Sequence, residues 1–262
     1  MDRMRSSSRH SPCRRTRIGR RQLLTCGIAL ALPATSRADD AGEGAISSAE
    51  GAAILDLLRQ SPRADPAALQ AALSRIEREA LARAQTARRA AILAAGTRLY
   101  GDSRDAVAGN PEGHTVLVEF YDVRCPYCRA MVAMLARMLA ADPALRLVLK
   151  EWPILGPVSE IAARALLAAR PQGRYFPLRA RLMAGPAPQS EAAVAAAAAA
   201  VGLDGPALSR AMADPAITAQ LAATRALAAD LGLIGTPSFI AGGDVLAGAV
   251  GEAELRDALA GS

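Results

Sequence analysis

Two cysteines, Cys125 and Cys128, bracket Pro126 and Tyr127 and follow directly on the apolar run Val116-Leu117-Val118-Glu119-Phe120-Tyr121. A pair at this spacing can cycle between dithiol and disulfide. Exchange needs one thiolate that attacks and a second thiol that resolves the mixed disulfide. Pro126 has no N–H for a ladder but suits the first turn of a helix, and the apolar spacing from Arg129 to Leu139 is helical, so Cys125 is expected at a helix N-terminus. Unpaired N–H groups and the positive end of the macrodipole favour a thiolate there, with Arg124 and Arg129 expected to act in the same sense. Cys125 is therefore the expected nucleophile, and Cys128, one turn in, the resolving thiol. Glu119, on the strand beneath the pair, is expected to be desolvated and to exchange protons with Cys128.

Other uses of the pair fit less well. A zinc site would need two further ligands, and beyond residue 38 the sequence offers no other cysteine and a single histidine, His114. A purely structural disulfide across a four-residue loop would remove little chain entropy. A Cu(I)-binding thiol module is the alternative from another class, since the soft ion matches thiolate ligands. The reading calls for no cofactor and no metal.

The elements around the pair can be taken in order. Arg14-Arg15-Thr16-Arg17 and Arg20-Arg21 precede the apolar Leu23 to Pro33, and Ser36-Arg37-Ala38 supplies small residues for cleavage, so residues 1–38 read as an export signal. Gly19-Arg20-Arg21-Gln22-Leu23-Leu24 is similar to a twin-arginine motif. This segment holds nine arginines and one acidic residue, so of the 31 basic and 25 acidic side chains the remainder keeps 22 and 24. The net charge of +6 thus belongs to the full chain, and cleavage would leave about −2, which gives no reason to invoke nucleic acid. Cleavage would also remove Cys13 and Cys26, leaving an exported, periplasmic chain whose only cysteines form the pair.

Residues 39–47 read as a flexible tether and residues 48–97 as an N-terminal helical segment. Within it Leu69, Leu73, Ile76 and Ala80 recur at helical spacing, a narrow seam that can pack on its own domain or join copies into a homo-dimer or homo-trimer. Residues 98–111 read as a turn-rich connector opening the catalytic domain, 98–262. Leu145 to Lys150 gives a second buried strand, parallel to the first across a right-handed crossover. A helical insertion spans about 157–232, and its Arg170, Arg174, Arg179 and Arg181 read as a solvated basic face. Ser238-Phe239-Ile240, the Gly242-Gly243-Asp244 turn and Val245-Leu246 read as a hairpin, closed by a helix from Glu252 to Leu259.

With the Cys-Pro-Tyr-Cys pair, Glu119, the helical insertion and Gly235-Thr236-Pro237 together, the chain from Thr115 onward resembles the DsbA-like family of exported thiol–disulfide oxidoreductases. That resemblance implies an α/β thioredoxin fold with an inserted helical domain. It also implies a buried acid at Glu119, a cis Pro237 facing the pair, and client contacts at Thr236, Pro237, Pro126 and Tyr127. The expected activity is forming or isomerising disulfides in client proteins that carry thiols or disulfides, with a membrane redox partner to recharge the pair. Thr236 before the proline is similar to the isomerases and the oligomeric ScsC-type members. A monomeric dithiol oxidase is the alternative within the family.

Overall fold

The computed structural model describes residues 48–60 and 66–261; the expected export signal and tether lie outside the described residues. Two helices come first, α1 (Ser48–Gln60) and α2 (Pro66–Tyr100). The strands β1 (Ala106–Gly109), β2 (Thr115–Tyr121), β3 (Leu145–Glu151), β4 (Ser238–Ala241) and β5 (Asp244–Ala247) form one sheet in the order β1-β3-β2-β4-β5. Helix α3 (Pro126–Ala141) links β2 to β3, which pair in parallel as the crossover reading expects. Helices α4 (Pro157–Ala168), α5 (Tyr175–Met183), α6 (Glu191–Ala200), α7 (Gly205–Met212) and α8 (Pro215–Asp230) form the insertion, and α9 (Glu252–Ala260) closes the chain. Among the described residues no helix is long and apolar enough to cross a membrane.

β2 is the central strand, paired with β3 on one side and β4 on the other, so both of its faces are covered. Side chains alternate across a strand. Leu117, Glu119 and Tyr121 face the larger core with Met131 and Leu135 of α3, whereas Val118 and Phe120 face a second core with Ile92, Ala95 and Leu99 of α2, Leu227 and Ala228 of α8, and Leu231 just after it. Phe120 meets Trp152 edge to face, with ring centroids 6.2 Å apart.

Three of the inserted helices, α6, α7 and α8, start on side-chain caps. Ser190 Oγ accepts from the Ala193 N–H, Asp204 Oδ1 from Ala207 and Asp214 Oδ1 from Ala216, which satisfies donors that a helix start leaves unpaired. Ser190 thereby starts the Ala-rich α6, whose Val194, Ala197 and Ala198 are buried. In the hairpin, Gly242 and Gly243 both have positive φ (59° and 82°), the backbone a two-residue turn between antiparallel strands requires.

Two readings of the N-terminal half need correction. The segment 98–111 is not a connector: it holds the last turn of α2 and the strand β1, which pairs antiparallel with β3. Nor does α2 lie wholly outside the catalytic fold, because Ile92, Ala95 and Leu99 are at most 2% exposed in the second core. From Ala67 to Ala91, by contrast, no α2 residue is buried.

Candidate active site

Cys125 is the N-cap of α3, with extended backbone (φ −67°, ψ 120°) and Pro126 in the first turn. Two anchors hold it there. Its N–H donates to the Asp122 carbonyl at 3.0 Å, and its own carbonyl accepts from Arg129 N at 3.1 Å, closing the first turn. The sequence reading passed over Asp122, although an aspartate between strand and helix is a common turn former. Its carboxylate, buried, accepts from Arg124 N at 2.8 Å and from Ile154 N and Leu155 N at 3.0 and 3.1 Å. It thereby ties the loop after β3 to the loop carrying the cysteines.

Both cysteines are free thiols, and Cys125 Sγ donates to the Thr236 carbonyl at 3.1 Å. The Thr236–Pro237 peptide is cis, and the Thr236 carbonyl stands beside Cys125. Pro126 and Tyr127 are exposed, Tyr127 at 63%. Cys128 has no exposed surface. Burial pushes its thiol well up, the charge of Glu119 and the neighbouring Cys125 add to the rise, and a backbone hydrogen bond involving Asp122 works against it. Cys128 therefore rests as a neutral thiol, and losing its proton needs a base.

Glu119 is fully buried. Desolvation raises its pKa, and the Arg179 guanidinium opposes that rise. Arg179 Nη2 donates to Glu119 Oε2 at 3.1 Å, with side chains 12% and 0% exposed. The expectation of a solvated basic face therefore fails at Arg179. The signal was present: Tyr175, Leu178, Arg179 and Leu182 recur at helical spacing, placing the arginine inside the stripe that α5 buries.

The guanidinium groups of Arg124 and Arg129 are held by backbone carbonyls. Arg124 Nη1 donates to the Leu155 carbonyl at 2.6 Å, and Arg129 Nη1 to the carbonyls of Val123 and Leu182 at 2.9 and 2.6 Å. They fasten the start of α3 to its surroundings, the end of α5 included. His114 is exposed and takes no part in the site.

A thioredoxin-type sheet with a helix-capping cysteine, a buried partner thiol and a buried carboxylate defines a thiol–disulfide oxidoreductase. Residues 116–260 match the model of the DSBA-like thioredoxin domain, and the chain belongs to that family. A thioredoxin-like oxidoreductase from Silicibacter pomeroyi DSS-3 is similar at 44% identity, the match covering 63% of this chain and 95% of that one with a TM-score of 0.61. The thiol-disulfide exchange protein α-DsbA2 from Wolbachia pipientis (23% identity, 67% and 96% covered, TM-score 0.62) shares the fold. So does a linker-deletion mutant of Proteus mirabilis ScsC (22%, 84% and 97%, TM-score 0.59). A comparison with curated proteins returned no match.

Proposed function

We propose that the protein is exported to the periplasm and there forms or isomerises disulfides in client proteins, with Cys125 attacking, Cys128 resolving and Glu119 moving the Cys128 proton. The observation that carries this reading is the asymmetry of the pair: Cys125, 4% exposed, caps α3 beside the Thr236 carbonyl, while Cys128 is fully buried and near enough to Glu119 for that charge to push its thiol up. Attack and resolution require two thiols in such different settings.

The surroundings of Cys125 suit protein clients. Tyr127 follows it, Ile154 and Leu155 (41% and 42% exposed) are tied to its loop through Asp122, and Ile234 (91% exposed) lies two residues before Thr236. Exposed apolar side chains thus come from three segments joined to Cys125 by the chain or by hydrogen bonds, which suits a surface for unfolded chain. Export rests on the basic and apolar N-terminal segment, and a membrane redox partner recharges the pair. The Leu69, Leu73, Ile76, Ala80 seam joins copies into a dimer or trimer, which favours isomerisation.

The test is reactivation of a scrambled, disulfide-bonded client, run beside oxidation of the same client when reduced. The mature protein should accelerate both, and Cys125→Ser should abolish both. A wild-type protein that accelerates neither would remove the reading.

A further inference from the structure

We propose that Arg179, carried into the core by the inserted helices, is a positioning residue that holds Glu119 ionised beneath Cys128, so that the carboxylate can take the Cys128 proton during exchange. The proposal rests on the dithiol reading of the site and adds to it the residue that makes the base usable.

The geometry supports this assignment. Arg179 approaches Glu119 through Oε2 at 3.1 Å, while Glu119 Oε1, also buried, has no hydrogen-bond partner among the described residues. One carboxylate oxygen is held by the cation and the other is left with lone pairs to receive a proton. The guanidinium itself is fixed by stacking 4.7 Å over the Tyr121 ring. Lys150, a buried cation on β3, lies on the opposite face of the sheet, where it pairs with Asp105. The titratable and charged groups around the Glu119–Arg179 pair are Cys128 from α3, Tyr121 on β2, and Arg179 and Tyr175 from α5, with Glu151 of β3 joined to the two tyrosines. Burial opposes a charge on Arg179, but Glu119 and the tyrosines outweigh it and keep the guanidinium protonated.

The step balances as follows. After Cys125 has attacked a client disulfide, Cys128 attacks the Cys125 sulfur of the mixed disulfide. The Cys128 S–H proton passes to Glu119, a Cys125–Cys128 bond forms, and the second client sulfur leaves as thiolate. The two enzyme thiols have then lost two electrons to the client disulfide. Without Arg179 nothing would oppose the upward push of burial on Glu119, which favours the protonated carboxyl, a form that cannot accept another proton.

The experiment uses the reduced full-length protein and an aromatic disulfide, dithiobis-nitrobenzoate, whose two coloured thiolates come off in sequence, the first on attack by Cys125 and the second on attack by Cys128. Rates are followed by stopped flow from pH 5 to pH 9. Arg179→Met should slow the second release at least about tenfold at pH 7 and move its rise to higher pH, leaving the first within about twofold. Arg179→Lys should restore most of the second rate. Glu119→Gln should slow the same step, and Glu119→Gln with Arg179→Met should be no slower than Glu119→Gln alone. An unchanged pH profile in Arg179→Met, losses that multiply in the double variant, or a lysine variant as slow as the methionine one would overturn the proposal. Should Arg179→Met not fold, the lysine and double variants still decide, since neither leaves an unpaired charge. A wild-type protein that releases no second thiolate would instead remove the dithiol reading itself.

Discussion

The Tyr175 hydroxyl of α5 donates to Glu151 Oε1 at the end of β3 and lies 2.9 Å from the Tyr121 hydroxyl, with all three side chains buried. Burial pushes the Glu151 carboxyl up to about 7 from an ordinary 4.5; the Tyr175 hydrogen bond and Arg170 act against the rise, and Asp105 adds to it. A carboxyl whose folded pKa is raised binds its proton more tightly when folded. Its contribution to stability is therefore complete below about 4.5 and lost as pH rises through about 7. We expect this residue to lower the unfolding free energy by on the order of 2 kcal/mol between pH 5 and pH 8. Glu151→Gln should flatten that slope in urea titrations at the two pH values, and an equal slope in both proteins would show that Glu151 does not titrate there.

On the other face of the sheet, the Lys150–Asp105 pair is 3% and 2% exposed, and Lys150 Nζ also reaches the Arg98 carbonyl of α2 at 2.5 Å. Removing the cation leaves a buried carboxylate unpaired, so Lys150→Met should cost roughly 3–5 kcal/mol. Lys150→Met with Asp105→Asn, which removes both charges, should recover more than half of that in chemical denaturation. A double variant as unstable as the single one would mean that the loss comes from packing.

What could be read in the sequence was set by neighbours along the chain. Pro126 in the first turn located Cys125 and Gly242-Gly243 located the hairpin, because caps and turns are decided within four residues. What escaped was decided by distant partners. β1 is four small residues whose strand character comes from pairing with β3, some forty positions on. Arg179 lies sixty positions from Glu119, and its charge alone suggested water. The docking of Ile92, Ala95 and Leu99 was hidden because one helix, bent at Gly96 (φ 41°), serves two environments.

Cys125 and Cys128 are both buried, and what separates them in reactivity is that Cys125 caps α3 while the Cys128 thiol is pushed well up. Cys128→Ser should accumulate mixed disulfides with clients through Cys125, whereas Cys125→Ser should accumulate few. In the reduced protein, iodoacetamide at mildly acidic pH should label Cys125 first, because the Cys128 thiol is held protonated and out of solvent. Labelling of Cys128 first, read by peptide mass spectrometry, would reverse the assignment.

The last prediction concerns α2 and the choice between isomerase and oxidase. Leu69 and Leu73 are 36% and 41% exposed, Ile76 is half-buried and Ala80 exposed, so the seam is open to solvent along one face of the helix. The same helix enters the catalytic core only from Ile92 onward, and Arg89 ties it to Asp244 at 3.0 Å. The two halves therefore have separable tasks: one packs the sheet, the other is free to meet a second copy. Reshuffling a wrong disulfide is favoured when several reactive sulfurs share one client, since the second encounter then happens at high effective concentration. Leu69→Glu with Leu73→Glu places charges in the seam without touching the core and should convert a dimer or trimer into a monomer by sedimentation at micromolar concentration. Truncation before residue 86, which keeps Arg89, Ile92, Ala95 and Leu99, should do the same. Both forms should oxidise simple thiols at the wild-type rate and lose most of their activity on scrambled client. A wild-type protein that already sediments as a monomer, or a truncated one that reshuffles at the full rate, would leave the monomeric dithiol oxidase as the better account.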